Sequence, residues 1–147
     1  MSVDERREAV HLDRLRAVLS AAARQLVGAD GITVVLRDGN HCLYLEEDAI
    51  APLWKGRRFP MSACISGWVM LNASPVVIPD VFSDPRIPSA AYSPTFVRSM
   101  AMVPIGKDDP MGAVGAYWAT PGYEATESQL EMLAAIADSA ALVLREV

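Results

Sequence analysis

The placement of proline constrains this chain more than any other feature. Its ten prolines run from Pro52 to Pro121. Proline has no amide hydrogen and clashes with the preceding helical turn, so long helices are confined to the two ends. Both ends carry the pattern of one. From about Asp4 to Val27, the residues Leu12, Leu15, Leu19, Ala22 and Leu26 alternate in spacings of three and four, which makes one apolar stripe. Gly28 and the turn "GADG" end it. The second helix is expected over 126–147. Thr126 and Gln129 have capping-box spacing, and Glu124, Glu127 and Glu131 place negative charge near the positive helix end. Leu130, Leu133, Ala137, Ala140, Leu144 and Val147 repeat the alternation. No stop signal follows Val147, so this helix is expected to run off the chain.

Between the helices the signals are those of hairpins. Ile32 to Arg37 and His41 to Glu47 are β-rich runs flanking Asp38-Gly39-Asn40, a strong turn sequence. A short strand is expected near Arg58 to Met61, a short helix from about Ser66 to Leu71, and a brief strand from Val76 to Ile78. Residues 79–97 hold four prolines and scattered aromatics, and so long a loop in a compact domain usually serves function or packs as a lid. Arg98 to Ile105 and Gly112 to Ala119 form a second hairpin across "GKDDPM". Gly112, Ala113, Gly115 and Ala116 leave the last strand little bulk, so a helix or a ligand must pack closely on it. Hairpins outnumber crossovers, and the sheet should be antiparallel in an α+β arrangement.

The chain has 147 residues and a net charge of −5, with acids and bases interleaved and no basic block. That excludes nucleic acid and an anionic membrane surface as main partners. No run of 18 apolar residues occurs, and the charged opening "MSVDERREAV" is unlike a secretory segment, so a single soluble cytoplasmic domain over 1–147 is expected. The two cysteines, Cys42 and Cys64, are too few for a disulfide framework.

The segments "SGWVMLNASPVVIPDVFSDPR", "FVRSMAMVPIG" and "MGAVGAYWATPGYEATESQLEMLAAIADSAALVL" together resemble the GAF domain. Gly67, Pro75, Asp80, Arg98, Ser99, Pro104 and Gly112 stand where the pattern of that family wants them, over roughly residues 10–147. The resemblance implies a central antiparallel sheet of five or six strands. Terminal helices would lie on one face, and short helices and loops would enclose a small-molecule pocket on the other. It also implies a sensory or regulatory module joined to an output domain, most like the GAF modules of bacterial two-component sensor histidine kinases.

Chemistry within this frame is sparse. Cys64 stands near the start of the short helix, where a thiolate would be favoured, yet His11 and His41 are the only histidines and nothing in the sequence brings either to it. Buried free cysteine is common as a small apolar residue, which makes packing the simpler role. Some GAF domains reduce free methionine sulfoxide with several cysteines. Here there are two, 22 positions apart, and the sequence leaves open whether they meet. Other GAF domains anchor a bilin on a cysteine in the later loop, often followed by histidine. No cysteine follows Cys64, so covalent bilin is not expected; nor is haem, since neither histidine falls in the loops over the pocket. No metal-ligand spacing occurs, and the Asn-Lys…Phe…Asp-Glu signature that accompanies cyclic-nucleotide binding is missing.

No cofactor is therefore predicted, and an unidentified small molecule is the expected ligand. Cys64, Trp68, Phe82, Tyr92, Phe96, Met100, Met102 and Trp118 are candidate pocket walls, with Asp80, Arg86 and Ser99 as polar contacts. Alternation separates Ser99 and Ala101 from Met100 and Met102 without saying which set faces the pocket. The terminal stripes suit a coiled-coil-like seam, so a parallel homodimer is expected through Leu12, Leu15, Leu19, Leu133, Ala137, Ala140 and Leu144. Each helix also carries a second apolar set, Val18 and Ala21 on the first and Met132, Ile136 and Val143 on the last, so one face could cover the sheet while the other meets a partner.

Overall fold

The computed structural model describes residues 12–17 and 21–145. Residues 12–17 are helical, and the elements that follow are α1 (Ala21–Val27), β1 (Gly31–Asp38), β2 (His41–Ala49), β3 (Arg58–Pro60), a 3-10 turn (Met61–Ala63) and α2 (Ile65–Asn72). Then come β4 (Val76–Ile78), a 3-10 turn (Val81–Ser83), α3 (Ser89–Tyr92), β5 (Ser99–Ile105), β6 (Gly112–Trp118) and α4 (Glu127–Arg145). The expected N-terminal helix over 4–27 is thus seen only where it is described, and Leu19, Val18 and Val147 lie outside the described residues.

Six strands pair in the order β3-β2-β1-β6-β5-β4, each pair antiparallel. The two hairpins foreseen from the turns supply the central four strands, joined where β1 pairs with β6. Gly39 opens the two-residue loop of the first hairpin with φ 61°, a backbone that suits glycine at the first central position. Register between β1 and β2 shifts at Val34/Val35, so Leu45 is the extra residue of a bulge.

Strand alternation divides the interior into two cores. On one face Ile32, Val34, Ala101, Val103, Ile105, Val114, Ala116 and Trp118 pack with Val27 of α1 and Leu133, Ala137, Ala140, Ala141 and Val143 of α4. On the other, Val35, Cys42, Tyr44, Met100, Met102 and Tyr117 meet Trp54, α2 and the segment from Val81 to Val97. Leu15, α1 and α4 therefore cover one face, and the proline-rich middle covers the other. Small residues on β6 do allow close packing from both sides. Gly115 leaves room for the Tyr117 ring to fold back, and its hydroxyl bonds the Thr33 hydroxyl at 2.8 Å.

Helix α4 begins as its sequence dictates. The Gln129 amide donates to Thr126 Oγ1 at 3.1 Å, and Gln129 Oε1 accepts from the Thr126 amide at 2.9 Å, a complete capping box. Gln129 does more than cap. Its Nε2 donates to the Val27 carbonyl at 2.8 Å, which satisfies an orphan group at the C-terminus of α1. Trp118 Nε1 donates to the next carbonyl, Gly28, also at 2.8 Å.

Candidate functional site

The two cysteines meet. Cys42 points from β2 into the core, and Cys64 is the N-cap of α2; their Sγ atoms lie 3.2 Å apart and both are free thiols. Met61 Sδ stands 3.3 Å from Cys42 Sγ, and Ser66 Oγ stands 3.3 Å from Cys64 Sγ. Ser66 in turn bonds the Tyr44 hydroxyl at 3.1 Å, so a continuous polar and sulfur chain runs from Met61 to Tyr44 under α2. Gly67 makes the arrangement possible. A Cβ there would collide with the Met61 carbonyl, so only glycine lets α2 settle on the 3-10 turn that precedes it.

The thiols are unequal. Cys64 is drawn down to about 6, led by its hydrogen bond with Cys42 and helped by Ser66 and the amides of Gly67 and Ser66, with burial opposing. Cys42 is pushed up by the same hydrogen bond and by burial. Cys42 is fully buried, whereas Cys64 is 5% exposed and borders a pocket of about 150 Å³ lined by Met61, Ser62, Trp68, Leu71, Asn72 and Arg86.

The loop over 79–97 contributes Arg86 to the lining of this pocket. Within it Asp80 caps the 3-10 turn, accepting from the Phe82 amide at 3.0 Å and the Ser83 hydroxyl at 2.7 Å. Those bonds hold its carboxyl below the usual range. Arg86 does not pair with Asp80; it grips both oxygens of Asp84 and lays its guanidinium 4.4 Å from the Trp68 ring centre. Farther along, Trp54 Nε1 donates to the Ala91 carbonyl at 3.0 Å, and its ring centre lies 4.6 Å from that of Tyr92. Glu47 sets Trp54 in place, accepting amides of Leu53, Trp54 and Lys55 at 2.8, 2.9 and 2.8 Å.

Of the expected pocket residues, Cys64, Trp68 and Arg86 come together around one cavity. Tyr92, Met100 and Met102 are buried in the core on the same face, with Phe96 partly buried against them. Asp80 and Phe82 sit at the surface, Phe82 being 47% exposed beneath Arg98. Ser99 and Trp118 require correction. Their parity on β5 and β6 turns them to the helix-covered face, where Ser99 donates to the Thr120 carbonyl and Trp118 packs on Tyr123. Met61, Ser66 and Tyr44 were not singled out from the sequence, because a contact between β2 and the start of α2 is non-local. Gly67, a glycine inside a short helix, was the one local sign of a close approach there.

The expected dimer residues also need correction. Leu15, Leu133, Ala137 and Ala140 are buried against the sheet of their own chain, and Leu12 and Leu144 are half-buried. The stripe that looked like a seam is the core-facing stripe. Val143, from the second set, is buried as well. Among the described residues, the exposed large apolar side chains of the terminal helices are instead Leu26, Met132 and Leu142, at 66%, 38% and 62%.

A backbone hydrogen bond joins the loop over 79–97 to the segment that leads into α4. The Gly122 amide donates to the Pro79 carbonyl at 2.9 Å, tying the start of the pocket loop to the segment that enters α4. Tyr123 follows immediately, its ring tilted against Trp118 with centres 4.8 Å apart, and its hydroxyl donates to Gln129 Oε1 at 2.8 Å.

The model of the family described as GAF domain matches residues 13–145. No protein of curated function matches the chain. Among solved structures, the GAF-B domain of DevS from Mycobacterium smegmatis aligns at 21% identity and TM-score 0.72, over 92% of this chain and 93% of that one. The GAF domain of Thermosynechococcus elongatus PixJ in its blue-light absorbing form gives 18% and 0.78, over 99% and 90%. Free methionine-R-sulfoxide reductase from Neisseria meningitidis, in complex with its substrate, gives 20% and 0.70, over 95% and 86%. At these identities the likeness carries the fold.

Proposed function

Because the chain belongs to the GAF domain family, we propose that it is a non-catalytic sensory module that takes a small molecule at the Cys64–Trp68–Arg86 pocket. The change there passes through the terminal helices to an output domain such as a histidine kinase. The bond from Gly122 to Pro79 is the observation that carries this reading. It couples the pocket loop to Tyr123 and Gln129, and Gln129 holds both the start of α4 and the end of α1. A ligand that favours one arrangement of the 79–97 loop therefore biases the junction of the two terminal helices. The GAF domain of PixJ, a cyanobacteriochrome receptor with the same fold, supports the class of function. Thermal-shift screening against small metabolites tests it: a binder should raise the melting temperature of the wild type and lose its effect in Trp68→Ala. A screen in which no compound stabilises the protein counts against ligand sensing.

Homodimerisation belongs to the same reading, now through the exposed set. Met132, Ala135, Ser139 and Leu142 recur at spacings of three and four on the outer side of α4, a face free of the sheet.

The paired thiols favour a second reading, a cysteine-dependent reductase of free methionine sulfoxide. The pocket argues against that substrate. A free amino acid needs partners for an ammonium and a carboxylate, yet among the described residues no carboxylate lines the cavity, and Arg86 is already engaged by Asp84. An assay for free methionine sulfoxide reduction decides it, and turnover lost in Cys64→Ser would establish the enzyme.

A further inference from the structure

We infer that Cys42 and Cys64 form a peroxide-reactive dithiol, in which an uncharged hydroperoxide entering the small pocket oxidises the pair to an intramolecular disulfide. The inference takes the sensory reading of that pocket as its premise and names what is sensed. Its chemistry rests on the placement of the sulfurs.

Three features divide the labour between the thiols. Cys64 borders the cavity, while Cys42 is buried directly behind it, so an incoming oxidant reaches Cys64 first. Cys64 occupies the N-cap position of α2 without a side-chain cap hydrogen bond, and the positive end of the helix together with the Ser66 hydroxyl 3.3 Å away favours a negative sulfur. The second sulfur waits 3.2 Å away, and a disulfide needs about 2.05 Å, so roughly 1 Å of approach closes the bond. The lining selects for a small neutral oxidant. Beside Cys64 it offers a thioether, a hydroxyl, an indole, an amide, aliphatic surface and a guanidinium already neutralised by Asp84.

The reaction balances in two steps. The Cys64 thiolate attacks the terminal oxygen of the hydroperoxide; the O–O bond breaks and the departing alkoxide takes the proton that Cys64 released. Cys64 is now a sulfenic acid. Cys42 then attacks the Cys64 sulfur, the S–O bond breaks, and hydroxide leaves with the Cys42 proton as water. Two thiols and one hydroperoxide give one disulfide, one alcohol and one water, and a thiol reductant restores the starting state. The closed bond pulls the start of α2 onto β2, beneath Trp68, whose ring carries Arg86 of the loop.

The test uses the whole chain, reduced and then treated with equimolar hydrogen peroxide, quenched with an alkylating agent and weighed intact. Wild type should lose two hydrogen atoms, resist alkylation and yield a Cys42–Cys64 linked peptide. Cys42→Ser should stall as a sulfenic acid at Cys64, trapped by dimedone, and Cys64→Ser should slow oxidation of Cys42 by at least about tenfold. Wild type that stays fully alkylatable overturns the inference, as does Cys64→Ser reacting as fast as wild type. Disulfide formation without any change in amide exchange at α4 would uphold the thiol chemistry and remove the sensory premise. A stabilising metabolite found alongside unreactive thiols would do the reverse.

Discussion

At the scale of single residues, Cys64 carries the most specific expectation. Facing it are the Cys42 thiol from β2 and, through Ser66, the Tyr44 hydroxyl. Tyr92 and Tyr117 lie near enough to feel its charge, and Arg37 stands by Cys42. All three tyrosines are pushed up by burial, so they stay neutral while Cys64 titrates. With Cys64 drawn down to about 6, thiolate is present above that pH and is lost as pH falls through it. The rate of alkylation at Cys64 should therefore rise through about pH 6, below the ordinary thiol value of about 8.5. Cys42→Ala removes the hydrogen bond that leads the shift and should move that midpoint upward; an unchanged profile would mean that Cys42 does not set it. Gly67→Ala forces a methyl against the Met61 carbonyl and should cost about 1–3 kcal/mol, read as a lower urea midpoint at constant slope. This site was half legible in the sequence. Cys64 was visible at a helix start, but a partner 22 positions away on a strand is placed by sheet register, which one sequence does not state.

At the scale of elements, legibility followed the strength of the local signal. Period and capping chemistry placed α4, and turn chemistry placed both hairpins, because those signals act within a few residues. The β4 strand matched its expected bounds of Val76–Ile78. Less was legible where the determinants are distant. The bulge at Leu45, the short helical pieces at Val81–Ser83 and Ser89–Tyr92, and the facing of Met100 and Met102 depend on packing across the sheet. The capping box was readable, but the reach of Gln129 to Val27 was not, since 102 positions separate them. Gln129→Ala removes the box and the bond to α1 together. It should cost about 1–2 kcal/mol and lower the melting temperature, whereas Gln129→Glu retains the box but loses the donor to Val27. Equal stability of Gln129→Ala and wild type would show that the junction of the terminal helices is held by other contacts.

At the scale of the whole molecule, the sheet separates the chemistry from the helices that would report it. Among the described residues no helix is long and apolar enough to cross a membrane. The apolar stripes of the terminal helices were visible in the sequence, yet periodicity alone does not say whether a stripe meets a sheet or another chain. The structure assigns Leu133 to the core, so Leu133→Asp buries an unpaired charge and should unfold the domain, at a cost of about 4 kcal/mol or more. Leu142→Asp lies on the exposed side and should leave the fold intact while lowering the mass seen in light scattering from dimer to monomer. A wild type that is monomeric at micromolar concentration would remove the dimer. The central claim is that a change at the Cys64 pocket reaches the terminal helices through Pro79, Gly122, Tyr123 and Gln129. Amide hydrogen exchange compared between the dithiol and disulfide forms tests it most directly. Altered protection at residues 24–28 and in the first turns of α4 is the predicted result; altered protection confined to residues 58–74 would contradict it.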